Sequence, residues 1–116
     1  MVDTSCLFCK IVAGEIPADV VRESDHVLAF RDVNPQAPVH ILLIPKEHVE
    51  SVADVDGHHA GTLADIMQAA TQLAGAEGIA ESGWRLVTNV GADGGQTVFH
   101  LHFHLLGGRP MTWPPG

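Results

Sequence analysis

The sequence predicts an α+β fold, a meander of five antiparallel strands with one long helix and a short N-terminal one. Three observations carry this reading. The stretch "VFHLHFHLL", residues 98–106, alternates apolar and imidazole side chains with the period of two that belongs to an extended strand. The apolar run "VHILLI", 39–44, is bracketed by prolines in "PQAPVHILLIP" and has the length of a buried strand. Leu63, Ile66, Met67, Ala70, Leu73 and Ala74 recur at three- and four-residue intervals, which places them on one face of a helix.

The remaining elements follow in chain order. A short helix precedes the strands near the N-terminus. "VVRES" and "HVLAFRDVN" make two short strands with a turn near Ser24 and Asp25. Asp56 is a helix N-cap candidate, because its short carboxylate can accept from the first unpaired amides. The long helix it opens ends around Gly75–Gly78. "WRLVTNV" is the fourth strand, "GADGGQ" a loop, and residues 98–106 the fifth strand.

Composition narrows the function. At 116 residues the chain is one domain, residues 1–116, with 107–116 as a C-terminal tail. Six Lys and Arg against fourteen Asp and Glu leave a net charge of -8, which repels a long nucleic acid but not a mononucleotide held by backbone amides. No run approaches the ~20 apolar residues of a membrane span, and "MVDTSCLFCK" lacks a basic-then-apolar signal, so a cytoplasmic location is expected.

Three groups of residues carry chemistry. His100, His102 and His104 share one face of their strand; a single histidine there reads as a wet surface position, whereas three point to acid–base, nucleophilic or ligand chemistry. "GADGGQ" runs straight into them. Gly91, Gly94 and Gly95 allow close backbone approach, so amides can cradle a phosphate beside the imidazoles, although an ordinary hairpin turn has the same composition. Upstream, His40 is either a satisfied core histidine or the group that fixes a catalytic tautomer. Asp32 is either a turn cap or a carboxylate that grips ribose hydroxyls. Finally, Cys6 and Cys9 in C-x-x-C spacing supply half of a tetrahedral zinc site, with partners to be found among the histidines; a redox pair and two buried thiols are the alternatives.

His100-Leu-His102-Phe-His104-Leu-Leu, together with "EIPA", "AFRDVNPQAPVHILLIPKEH", "NVGADGGQ", "HLLGGRPM" and "WPPG", resembles the histidine-triad (HIT) superfamily and within it the HINT branch of nucleotide-binding proteins. The resemblance covers nearly the whole chain. It implies the HIT fold, with two protomers joining sheets into a ten-stranded homodimer whose interface carries the tail. It implies hydrolysis of purine nucleoside phosphoramidates through a nucleotidyl-histidine, releasing a nucleoside monophosphate (AMP or GMP) and an amine, with no catalytic metal. His102 then stands as nucleophile, with His40, His104 and His100 as the rest of the catalytic cluster. Asp32 and Val33 match the ribose and base positions, Asn89, Gly95, Gln96 and Thr97 the phosphate side, and Trp113 the tail residue near the partner's site. Cys6, Cys9, His48 and His100 resemble the ligands of zinc-bearing relatives, which makes His100 structural. Thr97 replaces a frequent serine and Phe99 a frequent tyrosine. Rival readings are a nucleotide sensor or interaction module with residual hydrolysis, a dinucleotide polyphosphate hydrolase, and a metalloenzyme liganded by the strand histidines.

Overall fold

The structure, a computed structural model, describes residues 5–116; the first four residues of the expected domain lie outside the described residues. A short helix α1 (Leu7–Val12) leads into strands β1 (Val20–Glu23), β2 (Val27–Arg31) and β3 (Val39–Pro45). Two 3-10 turns, Val52–Asp54 and Gly57–His59, precede the long helix α2 (Ala60–Ala76), followed by β4 (Trp84–Val87) and β5 (Phe103–Gly107). The five strands are antiparallel in the order β1-β2-β3-β5-β4. This is not the simple meander expected: β5 lies between β3 and β4, so the two central strands of the histidine half are β3 and β5.

The sheet is covered on both faces, which explains why β3 is apolar at every position but His40. Val27, Ala29, Val39, Ile41, Leu43, Phe103 and Leu105 face α2, where Ile66, Ala69, Ala70, Leu73 and Ala74 meet them. Fully buried Ile41, Leu43, Ile66 and Leu105 each contribute about 1.5–3 kcal/mol of apolar transfer. On the other face Leu28, Phe30, Leu42 and Ile44 pack against Cys6, Phe8 and Cys9 of the N-terminal segment. Gly107 is required by this packing, since a Cβ there would lie 2.4 Å from Cδ1 of Ile79. Among the described residues no helix is long and apolar enough to cross a membrane.

Local differences from the sequence reading have physical causes. Asp56 does cap, but it caps the 3-10 turn that starts α2, accepting from His58 N at 2.8 Å. Met67 points outward and Ala69 inward, because the small side chains let α2 sit close to the sheet. The histidine strand is shorter than 98–106. Ladder pairing stops at Phe103 with β3 and at His104 with β4, because the carbonyls of His100 and His102 are taken by the His102 ring and the Thr88 hydroxyl. The alternation survives without the ladder: Leu101, Phe103 and Leu105 are in the core, and the histidines take the opposite side.

Candidate active site

On the α1 side of the sheet a cavity of about 390 Å³ collects Asp32, Val33, Thr97, His102 and His104. Leu7, Phe8, Ile11, Ile16 and Pro17 complete its apolar wall, so the N-terminal segment builds half of the site. Sequence reasoning missed this contribution, for which the apolar residues on either side of "AGE" were the available signal. Phe8 meets the His102 ring edge to face, with centroids 5.2 Å apart, and holds it against rotation.

The hydrogen bonds fix the proton on each imidazole. The Gln36 backbone N–H donates to His40 Nδ1 at 3.0 Å, so neutral His40 carries its hydrogen on Nε2. That hydrogen reaches His104 Nδ1 at 2.9 Å, with Asp32 Oδ2 at 3.4 Å on its flank. His104 therefore holds its own hydrogen on Nε2, a buried atom with no partner among the described residues. His102 has the opposite arrangement. Its Nδ1–H donates to the His100 carbonyl at 2.7 Å, which leaves the lone pair on Nε2. A row of identical side chains thus presents one nucleophilic nitrogen and one hydrogen-bond donor. Gln36, invisible to motif reading because it acts through its backbone, sets the donor end of this relay.

Burial keeps the relay neutral. Desolvation pushes His104 down to about 4, assisted by His102 and His40 and opposed by Asp32. Burial also lowers His40, against the attraction of Asp32. The unfolded chain, with ordinary histidine near 6.5, accordingly binds a proton at His104 before the folded one does. Stability from this group is complete above pH 6.5 and is lost as pH falls from 6.5 toward 4. Between those limits His104→Asn should reduce the acid-induced loss by an amount on the order of 1–3 kcal/mol relative to wild type. Urea unfolding at pH 7 and pH 4.5 measures it, and parallel pH dependences in the two proteins contradict it.

The same neutral tautomers bear on metal ligation by the strand row. Asp32, His40 and His104 cluster, but the His40 Nδ1 and His104 Nδ1 lone pairs are committed to hydrogen bonds and the remaining ring nitrogens carry hydrogen. The third ring, His100, belongs elsewhere. It is fully buried, and its Nδ1 lies 3.3 Å from Cys6 Sγ and 3.5 Å from Cys9 Sγ, while His48 Nδ1 is 3.4 Å from Cys9 Sγ. A tetrahedral zinc with arms of about 2.3 Å to sulfur and 2.0–2.1 Å to nitrogen has S···N edges of about 3.5 Å. The three S···N contacts already stand near that spacing, and all four donors lie within 4.8 Å of one another. His100 Nε2–H donates to the Pro45 carbonyl at 2.8 Å, which points the Nδ1 lone pair into the cluster. Burial lowers His100 to about 4, so the ring is neutral and fit to be a ligand.

Of the other expected positions, Asn89, Gly95, Gln96 and Trp113 fall outside the cavity wall, while Val33 lies at its mouth. Gly95, at φ +85, and Gly94, whose Cβ would lie 2.3 Å from the Val90 carbonyl oxygen, shape the loop before Thr97. Asn89 is half-buried beside Gly95. The Gln96 amide is spent inside the loop, accepting from Gly91 N and donating to the Glu50 and Val98 carbonyls. Val33 is fully exposed at the cavity mouth, and Trp113 is 83% exposed on the tail.

A family model described as "HIT domain" matches residues 13–111. The chain is 50% identical over 105 residues to the purine nucleoside phosphoramidase of Escherichia coli K12, covering 90% of this chain and 88% of that protein. It is 48% identical over 116 residues to the 14 kDa zinc-binding protein of Zea mays, covering 98% and 90% of the two. A solved HIT family hydrolase from Legionella pneumophila Philadelphia 1 is 58% identical, with a TM-score of 0.94 over 96% of this chain and 99% of that one. With the histidine row, the Asp32 turn and the whole sheet inside these matches, the chain belongs to the HIT family.

Proposed function

We propose that the protein hydrolyses purine nucleoside phosphoramidates, forming a nucleotidyl-histidine at His102 and releasing a nucleoside monophosphate and an amine. The observation that carries this reading is the opposed pair of tautomers, an Nε2 lone pair on His102 beside an Nε2–H on His104, at the wall of one cavity. His102 Nε2 attacks phosphorus as the phosphorus–nitrogen bond breaks, and the departing amine takes up a proton from water at the open mouth. His104 Nε2–H holds a non-bridging phosphoryl oxygen, where charge develops. Water then attacks phosphorus, the bond to His102 breaks, and the lone pair returns to Nε2. Across both steps the two hydrogens of one water end on the amine. Asp32 and the apolar wall are placed for ribose and base, and Thr97 for the phosphate side. The relative's name as a purine nucleoside phosphoramidase supports the substrate class.

Cys6, Cys9, His48 and His100 would hold a structural zinc, which supplies cross-linking of the N-terminal segment to the sheet and no catalytic chemistry. The donor spacing supports it, as does the relative named for zinc binding. Incubation of the protein with adenosine 5'-phosphoramidate and a mild chelator tests the hydrolase reading. AMP and ammonia should accumulate in equal amounts, and release at the rate of buffer alone rejects it.

The reading extends to a homodimer in the cytoplasm. Among the described residues β4 pairs only with β5 and is therefore a sheet edge, and a second copy joined there would give ten strands. The tail runs beside that edge, where the Arg85 guanidinium donates to the Thr112 carbonyl at 3.0 Å, and Trp113 is left with little cover in one chain. In the dimer Trp113 would reach the partner's leaving-group side. Deleting residues 111–116 should then reorder the rates among a panel of amines while AMP binding changes less than about threefold; an unchanged rank order removes the tail from the site.

A further inference from the structure

Away from the cavity, two imidazoles and a carboxylate converge where the end of the β3 segment meets the start of α2. His58 Nε2 lies 3.3 Å from Glu47 Oε1, and His59 Nε2 lies 4.0 Å from the same oxygen. The three donor atoms stand within 4.8 Å of one another. Behind His59, Asp56 Oδ1 is 3.3 Å from Nδ1. None of these residues takes part in the hydrolase machinery or in the cysteine cluster.

We propose that Glu47, His58 and His59 form a second, solvent-accessible site for a borderline divalent cation such as Zn²⁺ or Ni²⁺. Two imidazoles with one carboxylate match the ligand preference of these ions. Arms of about 2.0–2.2 Å give tetrahedral ligand–ligand edges of about 3.3–3.6 Å, so the Glu47–His58 pair, at 3.3 Å, is already spaced for a shared ion. The His59 pair closes by less than an ångström when the exposed Glu47 side chain swings in. Before an ion binds, the Asp56 backbone N–H donates to His59 Nδ1 at 3.1 Å. In that tautomer its Nε2 carries hydrogen toward Glu47. An ion at Nε2 takes the other tautomer, and the Nδ1–H turns to Asp56 Oδ1, a carboxylate behind a liganded imidazole of the kind that tunes metal sites. The displaced Asp56 N–H is exposed and turns to water. Water fills the remaining coordination positions, which makes the site weaker and more labile than the buried cysteine cluster and gives it no thiolate-based selectivity. The ion would tie the loop after β3 to the first turn of α2.

The test uses full-length protein carrying one tightly held equivalent of zinc, titrated calorimetrically with Zn²⁺ and, separately, Ni²⁺. A second equivalent should bind with micromolar Kd. The double variant Glu47→Gln/His58→Ala, at exposed positions outside the cavity, should weaken it by at least tenfold with phosphoramidate turnover unchanged. Asp56→Asn, which keeps an oxygen for the cap, should weaken it about tenfold, and His26→Ala should leave it intact. Absence of a second equivalent in wild type, or its retention at unaltered affinity in the double variant, overturns the site. Because turnover and the first equivalent are measured on the same samples, failure of this site is distinguishable from failure of the hydrolase reading.

Discussion

Replacing His102 with alanine should reduce phosphoramidate turnover by about 10⁴-fold or more, while AMP binds within a few-fold of wild type. The asymmetry follows from what the ring does and does not touch. Its Nδ1 is tied to the His100 carbonyl, so the whole chemical contribution leaves through Nε2. The apolar wall, Asp32 and the glycine loop stand without it. The contrast with His104→Ala sharpens the assignment: that variant loses one hydrogen-bond donor to the phosphoryl group and should cost only about 10²–10³-fold. An alkaline quench of wild-type enzyme under single turnover should yield a mass increment of one nucleotidyl group on the peptide carrying His102, labile to acid. A His102→Ala protein that keeps most of its activity, with no adduct in wild type, would move the attack to water.

The parts of this molecule that were legible in the sequence are those in which side-chain period and burial coincide. β3 is covered by α2 on one face and by α1 on the other, so "VHILLI" had to be apolar at every position but His40, and it reads as a buried strand without help. The alternation at His100–Leu105 reported its two faces correctly even though only Phe103–Gly107 joins the ladder, because alternation reflects extended backbone and not strand pairing. Position of β5 between β3 and β4 was not legible. Strand order is decided by long-range pairing, which leaves no local mark on composition. The tautomer relay was hidden for a different reason: the Gln36 N–H and the Pro45 and His100 carbonyls act through backbone atoms that every residue possesses. Likewise the role of Phe8 against His102 depends on α1 folding back over the sheet, a consequence of the cysteine cluster and the apolar face together.

That fold-back makes the metal cluster the site of the second large effect, this time on stability. Purified protein grown with ample zinc should contain one zinc per chain, and removing it with a strong chelator should lower the melting temperature by about 10–20 °C. The magnitude follows from linkage, since a ligand present at 1,000 times its Kd stabilises the folded state by about 4 kcal/mol. Cys9, at 1% exposure, is the deeper of the two thiols, and Cys9→Ser should reproduce the chelator effect without chelator. Cys6→Ser should do the same, although the serine oxygen can still accept from Cys9 N as the Cys6 sulfur does at the start of α1. The main core between α2 and the sheet contains none of the four ligands, so the domain should remain folded at 25 °C while the N-terminal segment loosens. The intrinsic chemistry should fall less than stability does, because the His102 Nδ1 contact is to a backbone carbonyl and the His104 relay is anchored through β3, whereas the loosened wall of Leu7, Phe8 and Ile11 should show mainly as weaker nucleotide binding. Amide exchange resolves the two layers: protection should drop in α1 and around His48 and persist in β3 and α2. Protein isolated without stoichiometric metal, or a melting temperature that the chelator leaves in place, would detach the cluster from any zinc role and leave four buried donors holding the N-terminal segment by hydrogen bonds alone.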